Sequence, residues 1–298
     1  MKKRILRNLI TAACMLFMIS GCSSQKSNQL VTVEGLDQLG AIHVIAREEG
    51  SGTREVFAEK VNLQSKSDTS HADRITEQAQ IAMNAASVID AVAADPSAIG
   101  FVSLGAVSGN ESGIKVIGIN GVKPSGETIS GNQYPLTRNL NIAYSGKLSD
   151  GGNDFLRYIV SAGQNLVEEH YVKVKTPESF LSDKSAGTLL ISGSSSAAPL
   201  LEQLAEEYGK TYNPNLEITI QTSDSTSGLT AAMQGSSDWG MASRELKDYE
   251  KELLSFETIA KDGVAVIVNA ENPAETLTVD QLTQIFEGTD QNWEDVNK

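Results

Sequence analysis

Residues 47–57 read Arg-Glu-Glu-Gly-Ser-Gly-Thr-Arg-Glu-Val-Phe, "REEGSGTREVF", directly after the β-branched run "IHVIA" (42–46) and at the start of an apolar helical face. Two arginines, two glycines and two hydroxyl side chains fall within eight positions, more than a plain turn requires. The arrangement returns twice. "TLLISG" runs into Ser194-Ser195-Ser196 and a helical stretch with Leu200, Leu201, Leu204 and Tyr208. "EITIQT" runs into Ser223-Asp224-Ser225-Thr226-Ser227-Gly228 and then "LTAAMQ". A strand, a short glycine or hydroxyl turn and a helix start, repeated in this way, argue an α/β architecture.

A helix N-terminus presents unpaired N–H groups and partial positive charge, so each turn suits an anion. Taken singly, each is an ordinary cap, because Ser, Thr and Asp are the preferred N-cap residues. Arg47 alone would be a surface arginine in an ion pair contributing about 0–1 kcal/mol. Together the turns read as a clamp, since each charge-assisted hydrogen bond contributes about 1.5–3 kcal/mol.

The remaining chain follows the same alternation. Strands are expected at "AIGFVSL", "IKVIGI", "NLNIAYS", "LEITIQT", "DWGMAS" and "GVAVIVN". Helices are expected at Glu55 to Val61, through "ITEQAQIAMNAASVIDAVAAD", through "DFLRYIVSAGQNLVEEH", at Ala197 to Tyr208, at Leu229 to Gln234 and at "TVDQLTQIFEG". Val174 to Gly187 loses periodicity and reads as a linker.

The chain has 298 residues, 40% of them hydrophobic, enough for one large domain or two lobes with separate cores. "MKKRILRNLITAACMLFMISGC" has a basic start and an apolar run too short to span a bilayer, the layout of a secretory leader. Its end resembles a bacterial lipobox, which implies lipidation of Cys22, with palmitate among the chains carried, and a membrane anchor on the outer face of the cell. Cys14 leaves with the leader at 1–21, so no intrachain disulfide can form. Residues 22–40 read as a polar tether.

Loss of Lys2, Lys3, Arg4 and Arg7 with the leader takes the formal net charge from −14 to −18. Nucleic acid is therefore excluded as an expected partner, because affinity for it comes from clustered basic charge. A small anion is not excluded, because local donors decide its binding. Gly193-Ser194-Ser195-Ser196-Ala197 imitates a nucleophile elbow. His43, His71 and His170 all precede it, whereas that design needs its histidine afterwards, so a hydrolase is not expected. The same histidines show no metal-ligand spacing, and no metal or cofactor is inferred. His43 reads as structural.

The quoted motifs, with "GSSSAAPLLEQLAEEY", "QTSDSTSGLTAAMQGSSDWGMASRELKDYE" and "DGVAVIVNAENPAETLTVDQLTQIFEGTDQNWEDV", resemble the phosphate-binding lipoproteins of phosphate ABC transporters. These are type II periplasmic binding proteins, and the resemblance covers nearly everything from Ile42 to Val296. It implies two α/β lobes that close on one phosphate through a hinge, an ABC permease as partner, and no catalysis. Carried across by position, it implies that Arg47 clamps phosphate, with Ser51, Gly52 and Thr53 as helix-start donors and Glu49 as the carboxylate orienting Arg47. Ser195, Ser196 and the amide of Ala197 fall in one donor motif, and which of them touches ligand is left open. Ser225 matches a hydroxyl donor. Ser243 stands where some relatives carry an aspartate that accepts the phosphate proton, which puts discrimination against sulfate in question. Trp239, four residues earlier, is expected to report closure.

The resemblance also implies an unusual order, with the arginine motif first and "NWEDVNK" last: a circular permutation joined at Val174 to Gly187. The lobes are then expected at 41–138 with 272–298, and at 139–271. A rival account has half-proteins pairing by swapping, or truncation of a tandem array. Within binding proteins the alternative ligand is another tetrahedral oxyanion. A surface lipoprotein for signalling or adhesion is the alternative from a different class.

Overall fold

The structure is a computed structural model that describes residues 34–64 and 73–297. The leader, Cys22, most of the tether and His71 lie outside the described residues.

In chain order the elements are β1 (His43–Arg47), α1 (Gly52–Lys60), β2 (Gln80–Ala82), α2 (Ala85–Ala93), β3 (Ala98–Ser103), α3 (Leu104–Val107), β4 (Ile114–Val116), β5 (Gly118–Ile119), α4 (Gly126–Ser130) and β6 (Thr137–Tyr144). Then follow α5 (Asp150–Ile159), α6 (Gln164–His170), β7 (Gly187–Ser194), α7 (Ala198–Glu207), β8 (Leu216–Ser223), α8 (Ser225–Gln234), β9 (Trp239–Ala242), α9 (Asp248–Leu253), β10 (Ser255–Asn269), β11 (Thr276–Leu277) and α10 (Val279–Glu287).

One long strand organises the molecule. Residues 255–263 of β10 pair antiparallel with β6, while 264–269 pair with β3 and β4, so the strand order runs β2-β1-β3-β10-β6-β9-β7-β8. Val264, Val266 and Val268 enter one hydrophobic core with Phe57, Phe101 and Phe286. Ile259 and Ala260 enter another with Phe155, Leu201 and Trp239. The fold is thus two α/β lobes joined where β6 and β10 run side by side. Their register at the crossing is Thr137 against Gly263 and Arg138 against Asp262.

The second crossing therefore falls at Asp262–Val264, earlier than the expected boundary at 272. The first lobe also starts before 41, because Leu36 is buried in its core. β3 is buried at every position, which is why "AIGFVS" is apolar without alternation.

Three element expectations change. The stretch from Ile75 to Asp95 is not one helix. Gln80–Ala82 pairs parallel with β1, and α2 starts only after Asn84, which accepts the Ser87 N–H at 2.9 Å. Pairing to an existing strand overrides helical periodicity here. The expected helix from Asp154 to His170 is two helices. Gln164 donates to the Ile159 and Ile259 carbonyls at 3.0 and 2.9 Å, closing off α5. "IKVIGI" is split into β4, which joins the main sheet, and β5, which pairs with β11.

Residues 174–186 hold neither helix nor strand. They are nevertheless pinned, because the buried Asp154 carboxylate accepts from Ser182 Oγ at 2.5 Å and from the Asp183 N–H at 3.2 Å. No helix among the described residues is long and apolar enough to cross a membrane.

Candidate anion site between the lobes

All four helix starts and turns that form the site lie at the ends of strands with a parallel neighbour. β1 ends at Arg47 and feeds α1. β7 ends at Ser194 and feeds α7. β8 ends at Ser223 and feeds α8. Ser243 follows β9. All of them meet in the cleft.

Arg47 is buried, and its guanidinium faces both lobes. Nε and Nη2 donate to the Glu48 carboxylate at 2.8 and 2.7 Å. Nη2 also donates to Ser195 Oγ at 2.9 Å and Nη1 to Ser196 Oγ at 3.4 Å. Thr53 Oγ1 lies 2.9 Å from Ser196 Oγ. Ser225 Oγ accepts the Ser243 N–H at 3.1 Å and lies 3.5 Å from Ser243 Oγ. Hydroxyls from both lobes and one guanidinium thus come together within one chain.

Glycine is required at two points beside it. Gly50 has φ +80°, and a Cβ there would stand 2.5 Å from Asp224 Oδ1. At Gly52 a Cβ would stand 2.5 Å from Ser225 Oγ and 2.8 Å from Ser243 Oγ, so only a bare α-carbon lets the lobes meet.

Some expected residues are placed differently. The carboxylate on Arg47 is Glu48, not Glu49. Glu49 is exposed, because the side chain adjacent to Arg47 folds inward while the next one projects out at the turn. Ser51 is buried but acts as the N-cap of α1, accepting the Arg54 N–H at 3.5 Å. The Ala197 N–H donates to the Ser194 carbonyl at 3.0 Å, within its own turn. The second arginine of the motif, Arg54, leaves the site: it pairs with Asp73 at 2.6 and 2.9 Å and donates to the Arg47 carbonyl at 2.7 Å. Trp239 is buried in the second lobe's core, stacked on Phe155, so it does not face the cleft.

Two buried arginines that sequence reasoning missed flank the cluster. Arg138 donates to Thr53 Oγ1 at 2.6 Å. Arg244 donates to Glu250 at 2.8 and 2.9 Å, and its Nε lies 2.8 Å from Glu55 in the opposite lobe. Burial works to lower the Arg244 pKa, but Glu250 and Glu55 raise it above its ordinary value. For Glu250 burial works upward, and bonds from Arg244 and the Lys247 N–H hold it below the usual glutamate value. Neither arginine lies in a glycine or hydroxyl turn, so "LTRNLNIAY" carries no visible signal, and in "ASREL" only the serine stands out.

His43 and His170 stand apart from the site. His43 Nδ1 is 2.5 Å from Asp95 Oδ2, and although burial tends to raise Asp95, this contact holds its carboxyl below the usual value. His170 Nδ1 meets Ser108 Oγ at 3.1 Å.

Two lobes hinged by paired strands, with helix starts and hydroxyls converging in the cleft, define a solute-binding protein. Residues 23–162 and 179–298 match the PBP superfamily domain. The chain is 35% identical over 305 residues, spanning all of both chains, to the phosphate-binding protein PstS 2 of Streptococcus agalactiae serotype V. It is 37% identical over 260 residues to PstS 2 of Streptococcus pneumoniae serotype 4, covering 86% of this chain and 88% of that protein. A crystal structure of a phosphate-binding protein of a phosphate ABC transporter from Streptococcus pneumoniae TIGR4 superposes with TM-score 0.71. That superposition has 37% identity and covers 86% of this chain and all of the other. The chain belongs to the PstS-type phosphate-binding proteins of the PBP superfamily. The streptococcal matches run through in one order, so the segment order is shared with these relatives, and they do not establish the permutation expected from the sequence.

Proposed function

We propose that the protein captures inorganic phosphate outside the cytoplasm and delivers it to an ABC importer. The observation that carries the reading is the convergence of Arg47 and Thr53 from one lobe with Ser195, Ser196, Ser225 and Ser243 from the other, around the bare α-carbon of Gly52. Here these groups bond one another. With a phosphate between the lobes, each turns its N–H or O–H to an oxygen, and the first-turn N–H groups of α1 and α8 add donors at the positive ends of two helices. Phosphate then replaces the direct contacts as the bridge between the lobes and favours the closed arrangement over the open one.

Glu48 holds the Arg47 guanidinium in plane and offsets its charge, which leaves hydroxyls and amides as the main partners of the dianion. Ser51 serves by capping α1, and Ser194 by taking up the Ala197 amide. Nothing in this cluster calls for bond breaking, and the reading assigns no catalysis. Cys22 carries the lipid in this proposal and holds the protein on the outer face of the membrane beside the permease. Titration calorimetry with phosphate tests the capture step, where one phosphate per monomer is expected and no heat of binding on a folded protein overturns it. Metabolic labelling with palmitate tests the anchor, expected in the native chain and lost in Cys22→Ala.

A broader oxyanion range is favoured by one observation: Ser243 offers a hydroxyl and no carboxylate to a protonated ligand. Competition with sulfate, molybdate and arsenate separates the readings.

A further inference from the structure

Arg138 stands at the first crossing between the lobes, and its register partner across the hinge is Asp262 at the second. Both are buried. Arg138 Nε and Nη2 donate to Asp262 Oδ2 at 3.0 and 2.8 Å, and the same oxygen accepts from Ser103 Oγ at 2.8 Å. That arrangement fixes one edge of the planar guanidinium. The remaining nitrogen, Nη1, has two hydrogens and two acceptors: Thr53 Oγ1 at 2.6 Å in one lobe and the Ser243 carbonyl at 3.3 Å in the other.

A guanidinium only donates. Thr53 Oγ1 therefore accepts from Arg138, and its own proton is directed away, toward Ser196 Oγ at 2.9 Å here and toward a ligand oxygen in the loaded cleft. We propose that Arg138 is a positioning residue of the anion site: held by Asp262 across the hinge strands, it orients the Thr53 hydroxyl as a donor and ties that orientation to lobe closure through Ser243. The inference rests on the phosphate reading. One guanidinium joins the hinge, the helix start of one lobe and the backbone of the other. A buried ion pair contributes little net stability compared with apolar side chains of similar volume, so its retention at the hinge fits a positional use.

Phosphate calorimetry and thermal unfolding on the full mature chain form the test, with four proteins: wild type, Thr53→Val, Arg138→Met with Asp262→Leu, and the three substitutions together. Changing both members of the pair leaves no buried charge unpartnered. Thr53→Val and the pair variant are each expected to weaken phosphate binding about tenfold or more, while the triple variant is no more than about twofold weaker than Thr53→Val. Arg138→Lys keeps a charge for Asp262 but has no second planar amine for Thr53. As a fifth protein it is expected to lose affinity to a similar degree with a native unfolding midpoint, and Thr53→Val added to it is expected to weaken binding no more than about twofold further. Additive losses, or pair and lysine variants that bind as tightly as wild type, overturn the inference while leaving the phosphate reading intact. A folded wild type that does not bind phosphate overturns both.

Discussion

Arg244 and Glu55 form an ion pair across the cleft: Nε of the arginine, in one lobe, lies 2.8 Å from Oε2 of the glutamate, on α1 of the other. Lys247 adds a second contact to Glu55 at 3.3 Å, and the Thr226 N–H reaches the Gly50 carbonyl at 3.3 Å. The closed form is thus held partly by contacts that touch no ligand. Glu55 is about a quarter exposed, so its pair contributes no more than about 1 kcal/mol. Glu55→Gln is expected to weaken phosphate by about twofold to fivefold, mainly through faster release. Stopped-flow dissociation measures it, and an unchanged off-rate would count against the latch.

Gly52→Ala separates closing from folding. Alanine is a better helix former than glycine, and the nearest atoms its Cβ meets are in the opposite lobe, at Ser225 and Ser243. The variant is expected to unfold at or near the wild-type temperature, yet to bind phosphate at least about a hundredfold more weakly, because the clamp cannot shut. Calorimetry and small-angle scattering together read both effects.

The two adjacent glutamates give a direct contrast. Arg47→Ala removes the guanidinium and leaves Glu48 buried without its partner, so both affinity and stability should fall, stability by about 3 kcal/mol or more. Glu48→Gln should weaken phosphate by a smaller factor. Glu49→Gln should leave both unchanged, because its side chain lies in solvent. Equal effects at 48 and 49 would contradict the assignment.

Glu250 sets an acid limit. Burial favours its neutral form, yet the Arg244 and Lys247 bonds bring its pKa below the unfolded value. Its contribution to stability is therefore fully present above the ordinary glutamate pKa and is lost as pH falls through the lowered one. Unfolding midpoints should drop on acidification in wild type and drop less in Glu250→Gln, which starts lower at neutral pH.

Intrinsic fluorescence is expected to be a poor reporter of binding. Trp239 is stacked on Phe155 in one core, and Trp293 is buried in the other with its indole N–H on the Ser97 carbonyl at 2.9 Å. A change on adding phosphate as large as that on unfolding would contradict this placement.

Much of the site was legible because its turns carry local chemistry. Glycine and hydroxyl residues crowded behind a β-branched run mark a strand end, a helix start and a set of donors at once. Arg47, Gly52, Thr53, Ser195, Ser196 and Ser225 stand in such turns, and Ser243 was reached through the family resemblance. The partner of Arg47 could not be read in this way, since Glu48 and Glu49 are identical in type and only backbone direction at the turn separates them. Ser51 carries both signals, because capping and anion binding ask for the same residue and its cap bond leaves its own O–H to donate.

By itself the sequence determined the α/β alternation, the family and the helix starts that carry the donors, because these depend on short-range periodicity and turn chemistry. Tertiary structure alone decided where the lobes divide, since β10 is one unbroken strand whose two halves differ in their pairing partners. It also decided the roles of Arg138, Asp262, Arg244 and Glu55. Their two ion pairs each join residues more than a hundred positions apart, where no local pattern constrains which charge meets which.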